Sequence, residues 1–173
     1  MTLPEPSTAS WPEDFLAHRA GHNCPMCGND WQADDIGWGL LLHRGEVSQS
    51  YLRRSGTVRG YVIVVFTARH IAEPTELPEE EATAFWHDTL TLGRALEQHY
   101  EPVKMNYLLL GNAIPHAHWH CVPRREAGTD PAPGGPVPFD MLDQGRQNEQ
   151  RLQADARALR QLLNHTDGSG VRR

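Results

Sequence analysis

No run of apolar residues in this chain approaches the roughly 20 needed to cross a bilayer, and its first residues show no basic start ahead of an apolar stretch. Neither a membrane span nor a secretory leader is expected. Positive charge is scarce: 16 Lys and Arg stand against 22 Asp and Glu, a formal charge of −6, which leaves no broad basic footprint for extended nucleic acid. A single phosphate group needs only a few local donors and remains compatible with that balance. Cysteine is rare too. Three residues, two of them in Cys24-Pro25-Met26-Cys27, fit metal or thiol chemistry in a reducing compartment better than a secreted disulfide framework, so a cytoplasmic protein is expected. There is no Gly-x4-Gly-Lys-Ser/Thr phosphate loop and no dinucleotide fingerprint, so no organic cofactor is indicated. No internal repeat is present.

At 173 residues and 39% hydrophobic, the chain can bury one substantial core and is short for two. Residues 1–22, with Pro4, Pro6 and Pro12, read as a loose N-terminal arm packed against the domain. Gly37 to His43 and Gly60 to Phe66 carry the strand signature, and Ser48 to Arg53 reads as a third, edge-like strand between them. From Pro78 the period becomes helical, with Ala82, Phe85, Trp86, Thr89, Gly93, Leu96 and Tyr100 on one face and Glu79, Glu80 and Glu81 complementing the helix dipole. Val103 to Leu110 reads as a strand leading into a Gly111-Asn112 turn. The Pro- and Gly-dense stretch 130–136 is expected to be an ordered surface loop. A last helix over about residues 146–163 buries Leu152, Ala156, Leu159 and Leu163, and the tail after Asn164 is expected to fray.

Histidine is the compositional outlier, with ten residues, three of them in His116-Ala117-His118-Trp119-His120. In a strand these three share one face, which is expected to be solvent-facing, while Ala117, Trp119 and Cys121 face the core. Such a row either binds a transition metal or acts on a phosphate as nucleophile and proton donor. For phosphoryl transfer, one ring nitrogen must meet phosphorus while the other is held by a hydrogen bond. His118, with neighbours on both sides, is the natural nucleophile. Phe85, Trp86 and Trp119 read as core rather than as a base-stacking surface. Arg53, Arg54 and Arg59 read first as surface charges and second as phosphate contacts.

The run from Asn106 to Val122 resembles the histidine-triad family, whose signature is His-φ-His-φ-His-φ-φ with φ apolar, and every position of it is met. With the Gly60 to Ile71 segment and the long helix, the resemblance covers roughly residues 22–125, and 23–125 is taken as the domain, with 126–173 packed on it. It implies an α+β fold with an antiparallel sheet of about five strands, one long helix packed on it, and commonly a homodimer. It also implies attack by the central histidine, here His118, on the α-phosphorus of a nucleotide, followed by hydrolysis of the nucleotidyl-histidine. By the same matching, His120 contacts the transferred phosphate and assists the leaving group, Asn112 lies near the phosphate, and Asn106 approaches the site. Two positions depart from the family: Arg53 stands near where an acidic or amide residue meets the ribose hydroxyls, and Tyr61 where histidine is common.

Cys24-x-x-Cys27 has metal-knuckle spacing but is half a site, to be completed by histidines or Cys121. The family resemblance implies a structural Zn2+ held by Cys24, Cys27, His70 and His116. A pair of reduced thiols, or a site using His18 or His22, are the alternatives. Functionally, the chain reads as a nucleotide hydrolase of the dinucleoside polyphosphate or nucleoside phosphoramidate class. The competing readings are a nucleotidyltransferase, a metalloenzyme using the histidine row, and a nucleotide-binding protein with little turnover.

Overall fold

The computed structural model describes residues 10–167, with side chains to residue 164. The expectations for the first nine residues and for the last six lie outside the described residues. A short helix, α1 (Phe15–Arg19), precedes the cysteine knuckle, so the later part of the expected arm is helical. Five strands follow, β1 (Gly39–Arg44), β2 (Ser48–Arg53), β3 (Val62–Phe66), β4 (Lys104–Leu109) and β5 (His118–Arg124), with α2 (Glu79–Tyr100) between β3 and β4. Two helices close the chain, α3 (Phe139–Asp143) and α4 (Glu149–Asp167). The strands form one antiparallel sheet in the order β1-β2-β3-β5-β4, an α+β arrangement. Among the described residues no helix is long and apolar enough to cross a membrane.

β2 is internal rather than at an edge. Its polar residues are the reason for the opposite expectation, and they are buried with partners. Ser48 donates to Asp88 and Gln49 accepts from Tyr51. Asp88, buried on α2, also takes the backbone N–H groups of Glu46, Val47 and Ser48 at 3.1 to 3.2 Å, so the β1–β2 turn is fastened to the helix. Gly45 makes that approach possible, because a Cβ there would lie 2.2 Å from the Asp88 carboxylate.

Both faces of the sheet are covered, which is why β3 reads as a continuous apolar run rather than an alternating one. On one side Val62, Val64, Phe66 and Cys121 pack with Phe85, Leu92 and Leu96 of α2 and with Leu152, Ala156, Leu159 and Leu163 of α4. Because α2 meets both the sheet and α4, its buried stripe widens to Asp88, Leu92 and Ala95, and Trp86 is left 43% exposed. On the other side Tyr61, Ile63, Val65 and Val122 pack with Cys24, Met26, Val58 and Leu142. That second face carries the candidate site.

Candidate active site and metal centre

β5 begins only at His118. Just before it, Ala117 N donates to Ile71 O at 2.6 Å and its carbonyl accepts from Phe66 N at 3.0 Å, which turns the chain and separates His116 from the strand. The uniform row expected from strict alternation is therefore split, and none of it faces solvent: His116, His118 and His120 are all buried, at 2 to 5% exposure. The rings of His118 and His120 meet edge to face at 4.7 Å, whereas the His116 ring pairs with His70 at 5.2 Å.

His118 Nδ1 lies 2.5 Å from the His116 carbonyl. A carbonyl can only accept, so Nδ1 carries the proton and Nε2 keeps its lone pair. Burial, ahead of neighbouring charges, lowers the His118 pKa below the ordinary histidine value and favours the neutral ring. His120 Nδ1 lies 2.6 Å from the Tyr61 hydroxyl. Burial raises the Tyr61 pKa, so the phenol stays protonated; with His120 Nδ1 as its one hydrogen-bond partner among the described residues, the buried O–H is satisfied only by donating there, which puts the His120 proton on Nε2. Burial first, then His118 and Arg53, lowers the His120 pKa to about 3. The pair thus presents one lone pair and one N–H donor.

Both rings line a cavity of about 620 Å³. Besides Tyr61 and Ile63 on the sheet, its walls come from four places: Trp38 and Arg53 near the ends of β1 and β2, Pro25, Met26 and Asn29 of the knuckle, the 110–114 loop with Asn112, and Phe139 and Asp143 of α3. Phe139 stands edge-on to His120 at 5.2 Å. Asn106 lies elsewhere. Its Oδ1 accepts from Arg124 Nη1 at 2.6 Å, and it lines a second groove beside β4. Arg124 spends its remaining donors on Asp130, Ala132 and Gly135, which orders the Pro- and Gly-rich loop.

Cys24, Cys27, His70 and His116 converge, with one ligand atom from each within 4.8 Å of the others. His116 Nδ1 lies 3.5 and 3.4 Å from the two sulfurs, and His70 Nδ1 lies 3.3 Å from Cys27 Sγ. A tetrahedral zinc with ordinary bond lengths sets neighbouring N and S ligands roughly 3.5 Å apart, so the donors fit such an ion. The remaining nitrogens also suit it: His116 Nε2 and His70 Nε2 donate to the Phe66 and Arg19 carbonyls at 2.7 and 3.2 Å, leaving both Nδ1 lone pairs for a metal. Partial desolvation, then its hydrogen bond and charge interaction with Cys24, raises the Cys27 thiol to about 11. Two sulfurs this close resist joint ionisation unless a cation lies between them.

Sequence reasoning did not find Met26, Trp38, Phe139 or Asp143 as cavity walls. It marked Tyr61 as unusual without finding its partner. Of the three arginines, Arg54 pairs with Asp35 and Glu149, and Arg59 pairs with Asp155. Only Arg53 of these three lines the cavity.

The HIT domain family model matches residues 45–127. Among solved structures, a histidine triad protein from Marinobacter aquaeolei is 26% identical, with a TM-score of 0.65 over 74% of this chain and 90% of its own. A Zn-bound histidine triad family protein from Mycobacterium smegmatis is 21% identical, with a TM-score of 0.55 over 76% and 88%. Plasmodium falciparum diadenosine triphosphate hydrolase, solved with cyclomarin A, shares the fold at 10% identity, with a TM-score of 0.56 over 88% and 95%. No curated protein matches the chain.

Proposed function

The chain belongs to the histidine-triad family, and from that premise we propose that it is a nucleotide hydrolase acting at the α-phosphate through a nucleotidyl-His118 intermediate. The observation that carries the reading is the His118 Nδ1 bond to the His116 carbonyl. It fixes the ring as a neutral nucleophile with Nε2 free in the cavity. In the first step the Nε2–P bond forms and the bond from phosphorus to the leaving group breaks, with the neutral His120 ring donating an Nε2–H hydrogen bond to the departing group, which takes any proton it needs from solvent. In the second, water attacks phosphorus and loses its proton to solvent, and neutral His118 departs with the nucleoside monophosphate released. Asn112, exposed on the cavity wall, donates its amide to phosphate oxygens. Asn106, committed to Arg124, supports the β4 side of the fold rather than the phosphate.

Zinc at Cys24, Cys27, His70 and His116 belongs to this proposal as a structural ion, since four protein ligands leave no open position. It would supply fixed geometry and no reacting group. The cysteine ligands suit a reducing, cytoplasmic setting. We propose a homodimer built across β4, an edge strand flanked by Val103 and Leu110 at 68% and 46% exposure.

Incubation with α-labelled dinucleoside polyphosphates and phosphoramidates, followed by acid-free quenching, tests the central claim. Label on His118 and loss of turnover by at least roughly 1000-fold in His118→Ala are expected. Turnover that survives the substitution unchanged would sink the reading. Label that passes to an added acceptor rather than to water would favour the transferase.

A further inference from the structure

Arg53 is held in an unusual way for a surface arginine. Its guanidinium carbon sits 4.9 Å over the Trp38 ring and 6.0 Å from the Tyr61 ring, and Nη2 donates to Asp143 Oδ1 at 2.9 Å. Its Nε is buried and has no partner among the described residues, and the same is true of His120 Nε2. Both residues line the one cavity. A buried donor without an acceptor is costly, so two of them at one cavity favour a ligand that brings oxygen acceptors. Arg53 and Asp143 are the only formally charged side chains among the lining residues, histidines aside, and Asp143 is half exposed while Arg53 is largely covered. The arginine therefore faces the interior and the carboxylate faces the mouth.

The brace that holds this pair comes from outside the matched family region. α3 is pinned by Leu142, 1% exposed, and by Thr57 N donating to Met141 O at 2.8 Å. Gly56, at φ +96, gives it room, because a Cβ there would lie 2.5 Å from the Leu142 carbonyl.

We propose that Arg53 is an anion-binding residue of the catalytic cavity, that it shares a substrate phosphate with His120, and that it favours substrates whose leaving group is itself a phosphate. This rests on the histidine-triad reading of the cavity. A planar guanidinium gains most from adjacent anionic oxygens, which a polyphosphate offers on its leaving group as well as on the α-phosphate, whereas a phosphoramidate releasing an amine offers them on the α-phosphate alone. Asp143 is then a positioning residue that keeps the fork aimed inward.

Calorimetric titration of the intact protein with α,β-methylene adenosine diphosphate, inorganic pyrophosphate and adenosine tests it without turnover. Arg53→Gln should weaken both anionic ligands by about 10-fold or more and change adenosine by less than about twofold, with Arg53→Lys intermediate. A thermal melt of each variant checks that the fold is kept. Equal anion affinity in wild type and Arg53→Gln, equal loss for adenosine, or no anion binding by the wild type would each overturn the proposal. Labelling of His118 in Arg53→Gln separates the two claims. Persistent label with unchanged anion affinity defeats this inference alone, whereas turnover surviving His118→Ala defeats the family mechanism and leaves the affinity comparison standing.

Discussion

Tyr61 does for His120 what the His116 carbonyl does for His118: each hydrogen bond settles which nitrogen carries the proton. Removing the phenolic oxygen keeps the ring and its packing but frees His120 to carry its proton on either nitrogen. Tyr61→Phe should therefore lower kcat roughly 10-fold, the usual cost of losing a residue that orients a functional imidazole, and stability by only about 1 kcal/mol. Steady-state kinetics beside a thermal melt would check this, and an unchanged kcat would show that the bond is not used in the reaction. The partnership was hidden in the sequence because it depends on register. Ile63 is the residue opposite His120, so Tyr61 reaches it diagonally from two positions away. The three histidines were legible as chemistry, and the resemblance also divided their roles between a metal site and a reacting pair, but the turn in the backbone that parts their rings was not legible. Alternation assumes a strand that starts at His116, and the backbone bonds of Ala117 to Phe66 and Ile71 place that start two residues later.

At the level of elements, the long helix was readable because its pattern is long and periodic, and β3 and the strand into the triad because each is a short run of strand-forming residues bounded by turn signals. β2 misled because serine and glutamine look solvated. Ser48 is satisfied by a carboxylate 40 residues away on α2, beyond the reach of any local pattern, and Gln49 by the Tyr51 hydroxyl. α3 was missed because five residues after a Pro- and Gly-rich stretch show too little periodicity to register. The Asp88 anchor makes a direct expectation at this scale. Asp88→Ala leaves the Glu46, Val47 and Ser48 N–H groups without their acceptor at a turn that is partly exposed at Glu46 and buried at Ser48. A loss of about 3 kcal/mol follows from unsatisfied buried donors, equivalent to roughly 6 to 12 °C in Tm for a chain of this size. A melt shifted by less than a degree or two would mean that water replaces the carboxylate at no cost.

Across the whole molecule, the knuckle joins three stretches distant in sequence, around residues 24–27, 70 and 116, at one point beside the cavity that His118 and His120 line. The same loop that supplies the two cysteines also supplies Pro25 and Met26 to the cavity wall, and the ring of His116 and its carbonyl serve the two centres separately. If zinc occupies this point, it ties the wall, the carbonyl that orients His118 and the segment between β3 and α2 into one unit. Its removal should then be felt by the whole fold. A one-to-one zinc content is expected by elemental analysis, and Cys24→Ser or prolonged chelation should lower stability by at least about 3 kcal/mol, roughly 6 to 12 °C in Tm. Activity should fall with the same chelator dependence, because the His116 carbonyl loses its fixed position, and should return when zinc is restored. A metal-free protein that melts at the same temperature as the untreated one and turns over normally would instead leave Cys24 and Cys27 as reduced thiols packed against two histidines.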